Sequence, residues 1–290
     1  MEITEYKFTD RMKKVLQETE AIVQKYQHGI ITPLHLFLGL INEKSGVCGE
    51  LFLYVSKNNK LRNFEELLEY SGNTVQNEQV ECSSFQLPLS ISTYNLLENA
   101  EKRRIHYKQR FINEGHVFQA IFADKSNIVY QVFLENELIE MKNIVCTSRD
   151  LVVKLQEYNY SKIIIEHHSI QKATRKDQDE VLEFIEKEFG SGWVESIKNG
   201  FIQNDIPIYL AKHQDKIQGF ACYDVYNKQK GVFGPMGIAS NQHDKGIGKS
   251  LLHSCLYEMK KMGYYYAIIG EAGPIEFYEK NCGAILIPCN

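Results

Sequence analysis

The first half of the chain repeats itself, and this constrains its fold more than any other feature. A shift of 81 residues places His35 on His116 without a gap. A repeat at a fixed offset indicates one structural unit formed twice, with each copy burying its apolar face against the other. The shift aligns further pairs of similar residues: Phe8 with Leu89, Val15-Leu16 with Leu96-Leu97, Glu20 with Glu101, Tyr26 with Tyr107, and Ile31 with Ile112.

The repeated segments have the pattern of helices. In TDRMKKVLQETEAIVQKY, apolar residues recur every three or four positions after Thr9 and Asp10, either of which could cap the helix. A second helix is predicted to begin at Pro33, with Thr32 as its N-cap. The polar segment between the copies, SGNTVQNEQVECSSFQLP, predicts an exposed connection. Residues 1–145 are therefore expected to form an all-α domain.

Four of these segments carry a family resemblance. FTDRMKKVL and TPLHLFLGLI, followed by the looser copies LSISTYNLL and NEGHVFQAI, resemble the double-repeat N-terminal domain of the Clp ATPases over residues 5 to about 145. The resemblance implies a helical adaptor that docks a protein partner. Many relatives have a glutamate before the motif histidine, where it helps to hold arginine ligands, but Leu34 and Gly115 occupy those positions here. We interpret His35 and His116 as core histidines bonded to helix ends rather than as ligands.

From about residue 166, strands and helices alternate. Strands are predicted in HSIQKAT, PIYLAKH, KIQGFACYDVY, GVFGPMGIAS, YYYAIIG and GAILIP, and helices in KDQDEVLEFIEKEF, GIGKSLLHSCLYEMKKMG and GPIEFYEKN. Between the halves, residues 146–165 form a junction without a clear Pro- or Gly-rich linker. The chain has 290 residues, enough for two domains that each bury a core. We place the second domain at 166–290.

The stretch NQHDKGIGKSLL ends its polar part like an ATP-binding P-loop. A Walker A loop would need glycine at position 243, which is His243, and the chain also lacks a Walker B strand, so an ATPase fragment is excluded. A strand followed by a glycine-containing loop and a helix still presents free backbone N–H groups to an anion. Gly246 and Gly248 leave room for a close approach to the backbone.

This loop belongs to a set of three motifs in a fixed order. With VFGPMGIA before it and FYEKNCGA after it, the second half resembles the GNAT superfamily of acyl-CoA N-acyltransferases over about residues 168–290. The resemblance implies an α+β fold with a mixed, mostly antiparallel sheet, whose fourth strand is bulged at Gly234-Pro235 and splays from the fifth. The pyrophosphate loop of the family falls on six residues: His243 (in place of Arg or Gln), Asp244, Lys245, Gly246, Ile247 and Gly248.

The same resemblance implies the chemistry. Acetyl-CoA would be the co-substrate, an amine the acceptor, and no metal would be needed. The coenzyme would bind along the loop as far as Lys249 and Ser250, with the backbone near Met236, Gly237 and Ile238 orienting the thioester carbonyl.

Three further side chains are candidates for the site. Tyr278 stands at the usual general-acid position of the family, although packing of its helix on the sheet is an equal alternative. Glu271, where relatives often carry Asn, is a candidate base on sequence proximity alone. Trp193 belongs either to the core or to the acceptor site.

Composition excludes several other classes of function. The formal net charge is −4 and the pI about 6.2, which argues against nucleic acid as the main partner. Seven cysteines without a C-x-x-C pair indicate reduced thiols rather than disulfides or a zinc site, and hence the cytoplasm. The N-terminus lacks the apolar core of a signal peptide, and no apolar run reaches the length of a membrane span, so no membrane is expected.

The end of the chain raises an alternative. The resemblance implies a seventh strand for which the sequence offers no counterpart after Leu286, which predicts an unpaired sheet edge there, covered by the helical domain or by a homodimer partner. The missing strand and the altered Glu271 favour a non-catalytic CoA-binding adaptor. The glycine loop and Tyr278 favour an N-acetyltransferase.

Overall fold

The structure is a computed structural model that describes residues 6–57, 60–71, 78–107, 109–159, 169–242 and 246–289. The chain divides into two compact units. Unit 1 comprises Met1–Thr147 together with Pro288–Asn290, and unit 2 comprises Ser148–Ile287. Within the described ranges, no helix is long and apolar enough to cross a membrane.

Unit 1 is helical. Its described elements are α1 (Asp10–Lys25), α2 (Pro33–Glu43), α3 (Gly46–Lys57), α4 (Leu61–Ser71), β1 (Gln79–Val80), β2 (Leu89–Ser90), α5 (Ile91–His106), α6 (Glu114–Ile121), α7 (Ile128–Val132) and α8 (Glu135–Val145). Helices α1 and α5 coincide residue for residue under the 81-residue shift.

The two copies of the repeat are joined by exchanged backbone bridges. Phe8 pairs with Ile112, and Ile31 pairs with Leu89. The shift converts one bridge into the other, because Phe8 corresponds to Leu89 and Ile31 to Ile112. This approximate two-fold relation confirms that the sequence repeat is a structural repeat. Of the two candidate caps for α1, the hydroxyl of Thr9 accepts the helix N–H.

The two motif histidines close the starts of α2 and α6, as predicted. The Nδ1 atom of His35 accepts the N–H of Thr32 at 3.1 Å, and the Nδ1 atom of His116 accepts the N–H of Asn113 at 3.1 Å. The other ring nitrogen of His35 lies 2.8 Å from Nδ1 of His28. Burial lowers the pKa of both capping imidazoles to about 4, with nearby His28 adding to the effect at His35. Both are therefore neutral hydrogen-bond acceptors at pH 7.

The connection between the copies is partly buried, so the prediction of an exposed segment is wrong there. Residues 72–77 lie outside the described part of the chain, but Cys82 and Phe85 are only 6% and 9% exposed. The strand β1 also pairs with β2. Although most residues of the segment are polar, the buried side chains of Cys82 and Phe85 attach it to the core.

Unit 2 is built on one sheet. Its described elements are β3 (Arg149–Lys154), β4 (Ser169–Lys172), α9 (Gln178–Phe189), α10 (Val194–Phe201), β5 (Ile208–His213), β6 (Lys216–Tyr223), β7 (Val232–Ile238), α11 (Ile247–Lys261), β8 (Tyr266–Ala272), α12 (Ile275–Cys282) and β9 (Ile285–Leu286). The strand order is β4-β5-β6-β7-β8-β3-β9, in which β7 and β8 are parallel and the other neighbours antiparallel. The mixed, mostly antiparallel α+β fold is confirmed.

Helices cover opposite faces of this sheet. Along β6, Phe220 and Cys222 join the apolar cluster that includes α9 and α10. Gly219 instead faces Leu251 of α11, because successive residues of a strand point to opposite faces. The sheet therefore separates an α9–α10 side from an α11 side.

The strand β3 corrects one prediction and narrows another. It lies in the segment 146–165, which was predicted to be a junction, and it pairs antiparallel with β8 on one side and β9 on the other. Leu151 stands opposite both Ile269 and Leu286, so β3 lies between β8 and β9 and pairs with one side of Leu286. Since β9 is the last strand in the order of the described sheet, the edge predicted beside Leu286 remains on its outer side. The strand β3 lies far from its partners β8 and β9 in the sequence. The periodicity of a segment cannot reveal a partner that is so distant along the chain.

Candidate functional site

The strands β7 and β8 separate after a short paired stretch. Their parallel pairing covers two positions and ends at Phe233 opposite Ile269. Beyond this point β7 continues to Ile238 paired with β6, while β8 continues to Ala272 paired with β3. The cleft between them is lined on one side by the backbone edge of β7 from residue 234 onwards, which has no ladder partner on β8.

A β-bulge lies on each strand where the two separate. On β7, Gly234 and Pro235 together face one residue of β6, Cys222. On β8, Gly270 and Glu271 together face one residue of β3, Asp150. A bulge increases the twist and bends its strand, so the splay has a cause on both sides. The bulge at Gly234-Pro235 confirms the sequence prediction.

Side chains on both faces of the sheet contact the free segment of β7. A Cβ built on Gly237 would lie 2.5 Å from the ring of Phe189 at the end of α9, so this glycine makes room for an aromatic side chain. The next residue, Ile238, faces α11. The ring of Trp193 lies 5.2 Å from that of Phe189 and packs against the apolar cluster of the α9–α10 side. The sequence does not indicate Phe189 as a site residue, because nothing in its own segment predicts a contact with β7.

The helix α11 begins beside this strand, and its two glycines have different roles. Gly246 is the N-cap with φ of +75°, a left-handed conformation that favours glycine. A Cβ on Gly248 would lie 2.7 Å from Cδ1 of Ile238 and 3.5 Å from the ring of Phe277. Gly248 therefore allows the helix to pack closely on β7 and α12. His243, Asp244 and Lys245 lie outside the described residues.

The first turn of α11 offers hydrogen-bond donors. The first hydrogen bond of the helix runs from the N–H of Ser250 to the carbonyl of Gly246. The N–H groups of Ile247, Gly248 and Lys249 come before it and therefore have no acceptor within the helix. The Ser250 side chain is 1% exposed, and its hydroxyl has no hydrogen-bond partner among the described residues. Unused donors at a helix N-terminus are suited to a phosphate group.

Tyr278 reaches the sheet where the cleft begins. It lies on α12, is 7% exposed, and its ring packs edge-on against Phe233 with the centroids 6.2 Å apart. Phe233 is the last residue of β7 paired with β8. Burial raises the pKa of Tyr278 above that of a free phenol. The side chain is therefore a protonated donor at neutral pH, and it also packs its helix on the sheet.

Glu271 lies in the bulge of β8, with its side chain exposed. Its φ of +49° is left-handed, and its N–H donates to Oδ1 of Asp150 at 2.8 Å. Its carboxylate accepts the hydroxyl of Tyr226 at 3.1 Å, and this bond raises the pKa of Tyr226. Asp150 and Tyr226 were not predicted from the sequence, since neither belongs to a recognisable motif. Among the described residues, no group of three or more His, Cys, Asp or Glu could hold a metal ion.

Each half of the chain matches a family model. Residues 7–136 match the Clp repeat (R) N-terminal domain, and residues 170–284 match the Acetyltransferase (GNAT) family. A comparison with curated protein sequences finds no match.

Several solved structures are similar to parts of the chain. A GCN5-related glucosamine N-acetyltransferase region of a fungal multi-domain β-N-acetylglucosaminidase is 12% identical, with 48% of this chain and 20% of that chain covered and a TM-score of 0.43. A GCN5-related N-acetyltransferase from Sphaerobacter thermophilus is 17% identical, with 49% of each chain covered and a TM-score of 0.41. The N-terminal domain of ClpD from Arabidopsis thaliana is 16% identical, with 50% and 96% covered and a TM-score of 0.37. This chain thus spans no more than about half the length of the two acetyltransferase chains.

Proposed function

We propose that this chain, which joins a Clp repeat N-terminal domain to a domain of the GNAT acetyltransferase family, transfers an acetyl group from acetyl-CoA to an amine. The observation that carries the proposal is the free backbone edge of β7 between two bulges. Its unused N–H and C=O groups can pair with the amides of an extended ligand arm, as a neighbouring strand would. The cleft is therefore suited to pantetheine, with the thioester near Met236, Gly237 and Ile238.

The coenzyme phosphates would bind at the start of α11. The N–H groups of Ile247, Gly248 and Lys249, the helix dipole and the Ser250 hydroxyl would together offset the negative charge. The exposed side chain of Lys249 adds a positive charge at this end of the helix. This part of the proposal does not depend on His243, Asp244 or Lys245.

In the reaction, the amine nitrogen attacks the thioester carbonyl, the C–S bond breaks, and the departing thiolate takes up a proton. Backbone N–H groups of β7 would stabilise the charge that develops on the carbonyl oxygen. Tyr278 would supply the proton, since burial keeps its phenol protonated. Glu271 stays a candidate base, with its carboxylate oriented by Tyr226.

The acceptor would approach from the α9–α10 side. Phe189 is 36% exposed, it covers Gly237, and Trp193 extends the same aromatic surface. The helix α9, with sequence QDEVLEFIEKEF, carries five carboxylates against one lysine. Aromatic rings beside carboxylates favour a cationic amine that also carries an apolar group. One of these carboxylates, that of Glu188, is bonded to Ser240 just after β7.

The test is release of free CoA thiol when the purified chain is given acetyl-CoA and a panel of amines, with binding followed in parallel by calorimetry. Turnover of a cationic amine that depends on Phe189 would support the proposal. Binding without turnover on any amine would favour the non-catalytic adaptor. Failure to bind acetyl-CoA would exclude both functions.

The helical domain is proposed to bind a protein partner, so that the acetyltransferase domain acts on or near that partner. The cytoplasm is the proposed compartment, with no role for nucleic acid or a membrane. A homodimer stays a proposal. Because β3 pairs with one side of β9 and β9 ends the strand order of the described sheet, a second copy would cover its outer side.

A further inference from the structure

The bulge of β8 is held by a side chain from the adjacent strand β3. At this bulge Glu271 adopts a left-handed conformation, with φ of +49°, that is costly for a residue other than glycine. The extra residue is taken out of the regular ladder, and its N–H donates instead to Oδ1 of Asp150 at 2.8 Å. The Asp150 side chain thus takes the place of the missing ladder acceptor.

Asp150 is itself fixed by the strand that carries it. Its carbonyl accepts the N–H of Ile287 at 2.9 Å, next to the pairing between β3 and β9. Its neighbour Leu151 pairs with both adjacent strands. On the other side of the bulge, the hydroxyl of Tyr226 holds the carboxylate of Glu271 at 3.1 Å. Glu271 is therefore held through its backbone by β3 and through its side chain by the loop before β7.

The position of this bulge matters for the cleft. It begins at the residue after Ile269, the last residue of β8 that pairs with β7. Without a bulge, β8 could continue in register beside β7 and occupy the edge that the coenzyme arm requires. We propose that Asp150 is a positioning residue that maintains the bulge and so keeps the β7–β8 cleft open for the acyl-CoA arm. The consequence for binding rests on the proposed function, whereas the effect on the bulge does not.

Two substitutions separate the hydrogen bond from the charge. Asp150→Ala removes the acceptor, and Asp150→Asn keeps an oxygen at the same place without the negative charge. We expect D150A to weaken acetyl-CoA binding about tenfold, the scale of one hydrogen bond, and D150N to bind within about twofold of the wild type. Calorimetry with acetyl-CoA on the full chain measures both. A role limited to stability would lower the melting temperature of D150A and leave its acetyl-CoA affinity at the wild-type level.

A second readout needs no ligand. Amide hydrogen exchange at Glu271 should be faster in D150A and close to wild type in D150N, because only the first variant loses the acceptor. The double variant D150A/E271G should recover binding, since glycine adopts the left-handed conformation without help. This variant also keeps the proposal testable if D150A alone is too unstable to study.

The outcomes separate this inference from the proposed function. If the wild type does not bind acetyl-CoA, the proposed function fails and the exchange experiment still decides whether Asp150 holds the bulge. If the wild type binds and D150A binds equally well, the positioning role is overturned. Equal loss in D150N and D150A would also overturn it, because the charge rather than the hydrogen bond would then be responsible.

Discussion

The side chain of Tyr278 packs against the sheet and is also the proposed proton donor. Its substitution by Phe separates these two roles. The variant keeps the ring against Phe233 and removes only the hydroxyl. If the phenol protonates the thiolate, turnover should fall about 10²-fold, as is typical for loss of a general acid, while acetyl-CoA affinity and melting temperature stay close to wild type. Steady-state kinetics, calorimetry and thermal melts on the same preparations measure these quantities. Wild-type turnover in Tyr278→Phe would assign the residue to packing alone.

The raised pKa of Tyr278 adds a pH dependence to this prediction. A general acid works in its protonated form, so its activity is lost only as pH rises through its pKa. Burial raises that pKa above the ordinary value of 10.0. Turnover should therefore show no decline attributable to Tyr278 between about pH 7 and pH 9.5. A decline in this range that disappears in Tyr278→Phe would contradict the assignment of a raised pKa.

The two glycines of the loop show how far a motif predicts individual residues. The motif locates Gly246 and Gly248 at the start of α11, where the structure has them. It does not distinguish their roles, because a motif records residue types and not the neighbours they meet in space. The conformation of Gly246 follows from the turn, whereas the need for Gly248 follows from Ile238 and Phe277, which come from separate elements.

Replacing Gly248 with Ala tests this interpretation. The new methyl group would meet Cδ1 of Ile238 at 2.7 Å, so the melting temperature should fall. The double variant G248A/I238V removes that Cδ1 atom and should recover most of the loss, because the flexible end of the side chain is the obstacle. Thermal melts of the wild type and the three variants, with I238V as the control, measure the coupling. A loss of acetyl-CoA affinity in G248A without any loss of stability would instead place the methyl group in the path of the phosphates.

At the scale of elements, the capping histidines make the helical domain sensitive to acid. The pKa values of His35 and His116 are about 4 in the folded protein and near 6.5 when exposed. Because the folded values are lower, the unfolded chain binds more protons between these limits. The stabilisation that the two neutral imidazoles contribute to the folded state is complete above about pH 6.5 and is lost progressively as the pH falls towards 4. Protonation would also remove the acceptor that each helix start requires.

We therefore expect thermal melts of the full chain to show the helical domain losing stability between pH 7 and pH 4.5. The double variant H35Q/H116Q should be less stable at pH 7 but should change less over this range, since neither glutamine can be protonated. NMR titration of the two imidazoles gives their pKa values directly. Values near 6.5 in the folded protein would contradict the prediction.

Most helices and strands of unit 2 could be predicted from local patterns, but the helix α10 and the strand β3 could not. The strands β5 to β8 and the helices α9, α11 and α12 have clear periodicity and turn signals, and the structure has them close to the predicted positions. The helix α10, with sequence VESIKNGF, follows a glycine-containing turn and shows only two turns of pattern. The strand β3 is recognisable by its partners β8 and β9, which lie more than a hundred residues further along the chain. The bulge of β8 was missed for the same reason, because it is visible only against β3.

At the scale of the whole molecule, β3 decides where the second domain must begin. The alternation of strands and helices predicts a start at residue 166, but a fragment cut there would leave β8 and β9 without the strand that joins them. We expect residues 147–290 to melt cooperatively and to be stabilised by acetyl-CoA, whereas residues 160–290 should melt broadly and show no such shift. Residues 1–147 should melt without a response to acetyl-CoA and serve as the control. Equal cooperativity and equal stabilisation of the 147–290 and 160–290 fragments would show that β3 is dispensable, and would also remove the basis for a positioning role of Asp150.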